Sequence, residues 1–163
     1  MVNASAFARI SMLTKLSYAG VSRSDLIHLY KMFIRSKLEY CVVQMHSCLT
    51  GLQAASLERC QSVSLRIILK NDYSTYSEAL KITGIETLEN RRKDRCLTFS
   101  QKYLKHPTNN RIFPLNENMH TINSEHFKVN FAYTEAYKNS AVPFCQRLLN
   151  EREALRRALR AAG

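Results

Sequence analysis

The sequence predicts an all-α protein, a small bundle of about five to six helices with a loop-rich C-terminal third. Three observations predict it. Apolar residues recur at three- and four-residue intervals from the N-terminus as far as Tyr103. Helix-start signals precede those runs at Ser24, Thr50, Thr75 and Thr87, and glycines follow two of them at Gly20 and Gly84. Beyond Pro107 the periodicity fades into Thr108-Asn109-Asn110, Pro114 and Asn116–Asn118, which read as an extended crossing.

Residues 4–19 read as a helix with Phe7, Ile10, Leu13 and Leu16 on one side, closed by Gly20 in a left-handed cap. Ser24 caps a second helix, and Asp25 suits the positive end of its dipole. At about 100° per residue, Leu26, Ile27, Tyr30, Phe33, Ile34, Leu38 and Cys41 share one arc. Lys31 and Arg35 lie opposite, with Glu39 placed to pair with Arg35 at the surface. Lys37 falls inside the apolar arc and is expected to carry its ammonium out past the core, with projection into a ligand groove as the alternative.

Thr50-Gly51-Leu52-Gln53 is a capping box that opens a third helix, with Leu57, Cys60, Ser64, Leu65, Ile67 and Ile68 inward. Thr75-Tyr76-Ser77-Glu78 is a second box, opening a short helix that Gly84 closes. Thr87 caps a helix running towards His106, with Leu88, Cys96, Phe99 and Tyr103 buried and Pro107 as its stop. His126–Tyr133 is a candidate short strand. Ser140 starts a final helix with Pro143 in its first turn and Val142, Leu148, Leu149, Leu155 and Leu159 as an uneven apolar side.

Composition narrows the function classes. A length of 163 residues suits one domain with a core of useful size. No apolar run reaches the length of about 18 residues that a membrane span needs, and the N-terminus lacks the layout of a secretory signal. An intracellular location, in nucleus or cytoplasm, is the expectation. The five cysteines, 41, 48, 60, 96 and 145, are odd in number and irregular in spacing, which points to reduced thiols. Cys41 and Cys60 fall on apolar arcs as small hydrophobes. His46 and Cys48 alone do not make a zinc site, which takes four ligands in spaced pairs.

The net charge of +11 points to a polyanionic partner, nucleic acid ahead of a membrane surface. Residues 1–107 hold 16 Lys and Arg against 8 acids, so most of the excess lies there. On the third helix Arg59, Arg66 and Lys70 project within about 40° of one another. On the helix after Thr87, Arg91, Arg95 and Lys102 do the same, thickened by Arg92 and Lys93. Such lines can follow a phosphate backbone, and the alternative for each is a solvated face. With Lys31 and Arg35, the residues Arg59, Arg66, Lys70, Arg91, Arg92, Arg95 and Lys102 form the candidate nucleic-acid-binding set.

Catalytic chemistry is not legible. Two-metal polymerases and nucleases need paired carboxylates, whereas Asp25, Asp72 and Asp94 stand apart. There is no Gly-rich phosphate loop, no Gly-x-Ser-x-Gly and no His-Glu-x-x-His, and the five histidines are scattered. No catalytic or metal-binding residue is assigned.

A series of short words resembles one family. Asp25-Leu26, Leu29-Tyr30, Phe33-Ile-Arg-Ser-Lys-Leu-Glu-Tyr40 and His46-Ser47 are similar to the stretch after the polymerase palm in jockey-like non-LTR retrotransposon reverse transcriptases. The similarity continues through Leu49-Thr50, Gln53, Leu57-Glu58-Arg59, Gln61, Leu65-Arg-Ile-Ile-Leu69, Tyr73, Tyr76, Ala79-Leu80, Gly84-Ile85, Thr87-Leu88 and Arg91-Arg92. Thr134-Glu-Ala-Tyr-Lys-Asn-Ser-Ala-Val-Pro143 and Arg147-Leu-Leu-Asn150 resemble the closing segment of the same family. Where that family carries Pro-Val-Trp before His-Ser, this chain has Val43-Gln44-Met45.

The resemblance, over about residues 4–150, implies a thumb-like helical domain at 1–107, a loop-rich connector ending in a helix at 108–150, and a helical tail at 151–163 outside the match. It implies binding of an RNA or DNA template–primer duplex, with Arg59, Arg66, Arg91 and Arg92 at basic family positions. It implies no cofactor on this chain, since Mg²⁺ would belong to a palm domain, and no polymerase activity of the chain alone. Three other readings stay open: a helical protein-interaction domain, including a docking surface for a palm; a helix-turn-helix DNA binder; and a retroelement remnant without function.

Overall fold

The computed structural model describes residues 2–105, 112–116, 126–129 and 131–161. Helices dominate, and no strand occurs among the described residues. In chain order they are α1 (Val2–Tyr18), α2 (Arg23–Leu29) continued by a π-helical stretch (Tyr30–Arg35) and α3 (Ser36–Leu38), α4 (Val42–Met45), α5 (Gly51–Leu69), α6 (Tyr76–Thr83), α7 (Leu88–Leu104), α8 (Glu135–Lys138) and α9 (Ala141–Ala161). Short 3₁₀ turns follow α4 at His46–Cys48 and α5 at Lys70–Asp72. The segment expected to form a strand contributes one isolated antiparallel bridge, Leu115 to Phe127. The predicted stop at Pro107 and turn at 108–110 lie outside the described residues, and α7 ends before them at Leu104.

The helix ends follow their local chemistry. Thr50 Oγ1 accepts from the Gln53 amide at 3.3 Å and Gln53 Oε1 accepts from the Thr50 amide at 3.0 Å, closing the capping box. Thr75 makes half of the expected second box: its hydroxyl accepts from the Glu78 amide, while the Glu78 carboxylate accepts from Ser74. Thr87 caps α7 through the Asn90 amide. α2 begins earlier than expected, because Ser22 rather than Ser24 accepts from the Asp25 amide. α1 and α6 close alike. Gly20 and Gly84 have φ of +84° and +61°, and the amides of Val21 and Ile85 reach back to the carbonyls of Leu16 and Leu80.

The chain folds as two compact units, Met1–Cys41 with Leu49–Arg91, and Val42–Cys48 with Arg92–Gly163. The division therefore falls within α7 rather than at residue 107, and α9 runs unbroken through the expected tail boundary at 150. The core of the first unit joins Ile10 and Leu13 of α1 to Leu26, Tyr30, Ile34 and Leu38, and to Leu57, Cys60, Leu65, Ile68 and Leu69 of α5. The core of the second gathers Val42, Cys96, Phe113, Phe127, Cys145, Leu148 and Leu149. Leu155 and Leu159, on the last turns of α9, are exposed.

The π-helical stretch alters which residues face inward. Leu26, Tyr30, Ile34 and Leu38 recur every fourth residue, and all four are buried. On a straight α-helix a strict four-residue repeat drifts about 40° per step. The i→i+5 winding of Tyr30–Arg35 holds more residues per turn and keeps the repeat on one side. Phe33, placed inward by α-helical periodicity, consequently points to solvent, and Cys41 is exposed beyond the helix end with φ of +53°.

Candidate nucleic-acid interface

The basic residues singled out by the sequence meet different fates. On α5, Arg59 and Arg66 are both exposed. Seven residues make nearly two turns, so the two guanidinium groups leave one face about 10 Å apart along the axis. Arg66 lies over the Tyr73 ring, 5.0 Å from its centroid, and Tyr73 shares a hydrogen bond with the Ser62 hydroxyl at 2.9 Å. The neighbouring carboxylate of Glu58 is turned away from this line. One oxygen accepts from Tyr76 Oη at 2.5 Å and the other from the Glu89 amide at 2.8 Å. The strip from Arg59 to Arg66 is thus cationic, with an aromatic plane at one end.

Lys70 does not extend that strip as a helical residue. The helix stops at Leu69, Lys70 turns to φ of +50°, and its ammonium donates to the Ser17 carbonyl at 2.8 Å. That bond joins the end of α5 to α1. Lys31 is half-buried on the π-helical stretch, and Arg35 lies 3.9 Å from Glu39. Lys37 sits over the Tyr40 ring, 5.6 Å from its centroid.

The expected surface pair of Arg35 and Glu39 is instead a buried carboxylate shared by two arginines. Glu39 is 6% exposed, and Arg91 grips it through Nε at 2.5 Å and Nη2 at 3.3 Å. The hydrogen bond to Glu39 and its charge hold the Arg91 proton more tightly than usual. Arg91 is therefore committed to structure. Arg92 departs further from expectation: it is 2% exposed, so no external phosphate reaches it, and its Nε and Nη1 lack hydrogen-bond partners among the described residues.

In the second unit, Arg95 and Lys102 are exposed on α7, again seven residues apart. Between them stands Phe99, which periodicity assigns to the core. It is 42% exposed and tilts against Tyr103 at a centroid distance of 5.4 Å. Leu88 and Cys96 are buried as expected, and Arg92 and Ser100 complete the buried side of α7. Arg95, Phe99 and Lys102 thus share one exposed side, a basic–aromatic–basic order that sequence reasoning missed. The aromatic at the fourth residue after Arg95 was its available signal. No group of three His, Cys, Asp or Glu placed to hold a metal occurs among the described residues. No helix among them is long and apolar enough to cross a membrane.

Comparison with known proteins returns no matching family model, no matching curated protein and no matching solved structure.

Proposed function

We propose that this chain binds nucleic acid, chiefly through the phosphate backbone, as a helical module resembling the thumb and connector of a retroelement reverse transcriptase. The observation that supports this most is the α5 face: Arg59 and Arg66 stand exposed in line while the adjacent acid, Glu58, is bound inward. The Arg95–Phe99–Lys102 strip on α7 adds a second cationic face with a ring on which a base can stack. Backbone contacts of this kind discriminate little between sequences and release counterions, so affinity falls steeply with salt.

The test is fluorescence anisotropy of a labelled RNA–DNA hybrid titrated at several salt concentrations. Arg59→Glu with Arg66→Glu is expected to weaken binding to unrelated sequences alike. It should also flatten the logarithmic salt dependence by roughly two units, about 0.9 for each phosphate no longer neutralised. Unchanged affinity in that double variant excludes the α5 face. A protein-interaction role is the second reading, favoured by the exposure of Met32, Phe33 and Tyr40 on the first unit. Light scattering after size exclusion separates the two, since self-association without hybrid binding supports the second.

A further inference from the structure

The second unit encloses two cysteines that no basic face uses. Cys96 on α7 and Cys145 on α9 are buried, reduced and members of one apolar core. Each side chain perturbs the other's proton affinity, which marks the two thiols as neighbours in that core. Ser100, one turn after Cys96, donates to the Cys96 carbonyl at 2.7 Å, and its hydroxyl favours the Cys145 thiolate.

Cys145 also forms part of the wall of a cavity of about 190 Å³, with Val43, Phe99, Tyr103, Phe113 and Val142. The exposed Phe99 and Gln44 belong to the same wall, so the space reaches the surface, while Cys145 and Phe113 on that wall are buried. Its lining is overwhelmingly apolar. The ensemble has the parts of a reactive dithiol: a cysteine on a cavity wall, a second cysteine in the same core, and a hydroxyl that can turn its proton to a thiolate.

We propose that Cys145 and Cys96 form an oxidation site for a small organic hydroperoxide, with Cys145 as the attacking thiol and Cys96 as the resolving one. The Cys145 sulfur takes the outer oxygen of ROOH, the O–O bond breaks, and the alkoxide leaves as ROH with the thiol proton. Cys145 is then a sulfenic acid. The Cys96 sulfur attacks the Cys145 sulfur, the S–O bond breaks, and hydroxide departs as water with the Cys96 proton. Two thiols and one hydroperoxide thus give one disulfide, one alcohol and one water, and the two electrons come from the sulfur pair.

Electrostatics assigns the roles the same way. The hydrogen bond from Cys96, helped by Ser100 and opposed by burial, brings the Cys145 thiol down to about 7. Donating that bond and being buried push the Cys96 thiol up. Arg92, one turn before Cys96, is buried with two N–H groups unpartnered among the described residues, and its charge acts on Cys96, where burial and the Cys145 interaction outweigh it. The apolar wall selects the oxidant. An alkyl group gains from burial there, whereas a charged tripeptide disulfide is too large for the space.

The experiment treats the full chain with an equivalent of tert-butyl hydroperoxide or, separately, hydrogen peroxide, blocks remaining thiols, and maps unreduced peptides by mass spectrometry. The expected product is a Cys96–Cys145 cross-link lighter by two hydrogens, formed ahead of any oxidation at the exposed Cys41 and Cys48 and faster with the alkyl peroxide. In Cys96→Ser, Cys145 is expected to accumulate as a dimedone-reactive sulfenic acid. Oxidation at Cys41 and Cys48 while Cys96 and Cys145 remain free thiols overturns the site. Equal or faster cross-linking by hydrogen peroxide overturns the apolar selection.

Discussion

Tyr30 Oη donates to Gln61 Oε1 at 2.6 Å, and neither residue exposes any surface. The same glutamine gives its amide protons to Tyr76 Oη at 3.0 Å and to the Glu86 carbonyl at 2.9 Å, and Tyr76 passes its own proton to Glu58. The chain of bonds ties α2's π-helical continuation, α5, α6 and the start of α7 together through one side chain. Removing one partner strands the others in a low-dielectric core. Tyr30→Phe is expected to cost about 1–3 kcal/mol, read from the urea midpoint. Gln61→Leu removes a partner from three groups and is expected to cost more. A double-mutant cycle of the two should show a coupling above about 0.5 kcal/mol; strict additivity would count against a shared network.

The same phenols set an alkaline limit on stability. Burial lifts the proton affinity of Tyr30 and of Tyr76 far above the ordinary tyrosine value of 10.0, with the hydrogen bond to Glu58 adding to it at Tyr76. Above about pH 10 the unfolded chain releases these protons while the folded chain keeps them. The folded state then binds more protons, so stability falls as pH rises. Their contribution is complete below about pH 10 and declines above it. Urea midpoints of the parent and of Tyr30→Phe, compared between about pH 8.5 and about pH 11, should converge, because the variant has one such proton fewer to retain. A gap constant with pH would refute the linkage.

Glu39 and Arg91 carry a different warning for functional tests. The carboxylate is buried and both its oxygens are held by one guanidinium. Arg91→Ala leaves a buried charge without its bidentate partner, and Arg35 lies 3.9 Å away. A loss of about 3 kcal/mol is expected, the low end for breaking a buried pair. Arg59→Ala should shift stability by less than about 0.5 kcal/mol. Weakened nucleic-acid binding in an Arg91 variant would therefore report unfolding, and the circular dichroism melt run beside it distinguishes the two. Were Arg91→Ala as stable as the parent, Arg91 would return to the candidate interface.

What the sequence made legible here was local. The Thr50–Gln53 box, the left-handed glycines after α1 and α6 and the Arg59–Arg66 line all depend on residues within about two helical turns, where periodicity is a sound guide. The errors arise where distance or winding intervenes. Gln61 has no place in the inward arc that periodicity assigns to α5, because its partner Tyr30 is 31 positions away. Phe33 is turned inward by a uniform 100° step, which cannot register a π-helical stretch. Lys70 joins the α5 line on that same step although the helix ends one residue before it. Arg91 and Arg92 look like solvated arginines, since their burial is set by tertiary packing rather than by spacing.

Gly84 and Gly51 make a matched pair for separating backbone strain from crowding. An added Cβ would meet nothing within 4 Å at either position, so steric contact distinguishes neither. Gly84 stands at φ of +61°, a region that costs an L-residue roughly 1–2 kcal/mol, and it holds the turn that sends Ile85 back onto Leu80. Gly51, the first residue of α5, carries no such constraint, and alanine there removes freedom from the unfolded chain. Gly84→Ala is expected to destabilise by about 1 kcal/mol and Gly51→Ala to stabilise by about 0.4–1 kcal/mol, measured by equilibrium urea unfolding. Gly84→Asn should recover part of the first loss, because asparagine tolerates the left-handed region better than alanine. Loss of stability in both alanine variants would mean that the space beside Gly51 is filled in solution.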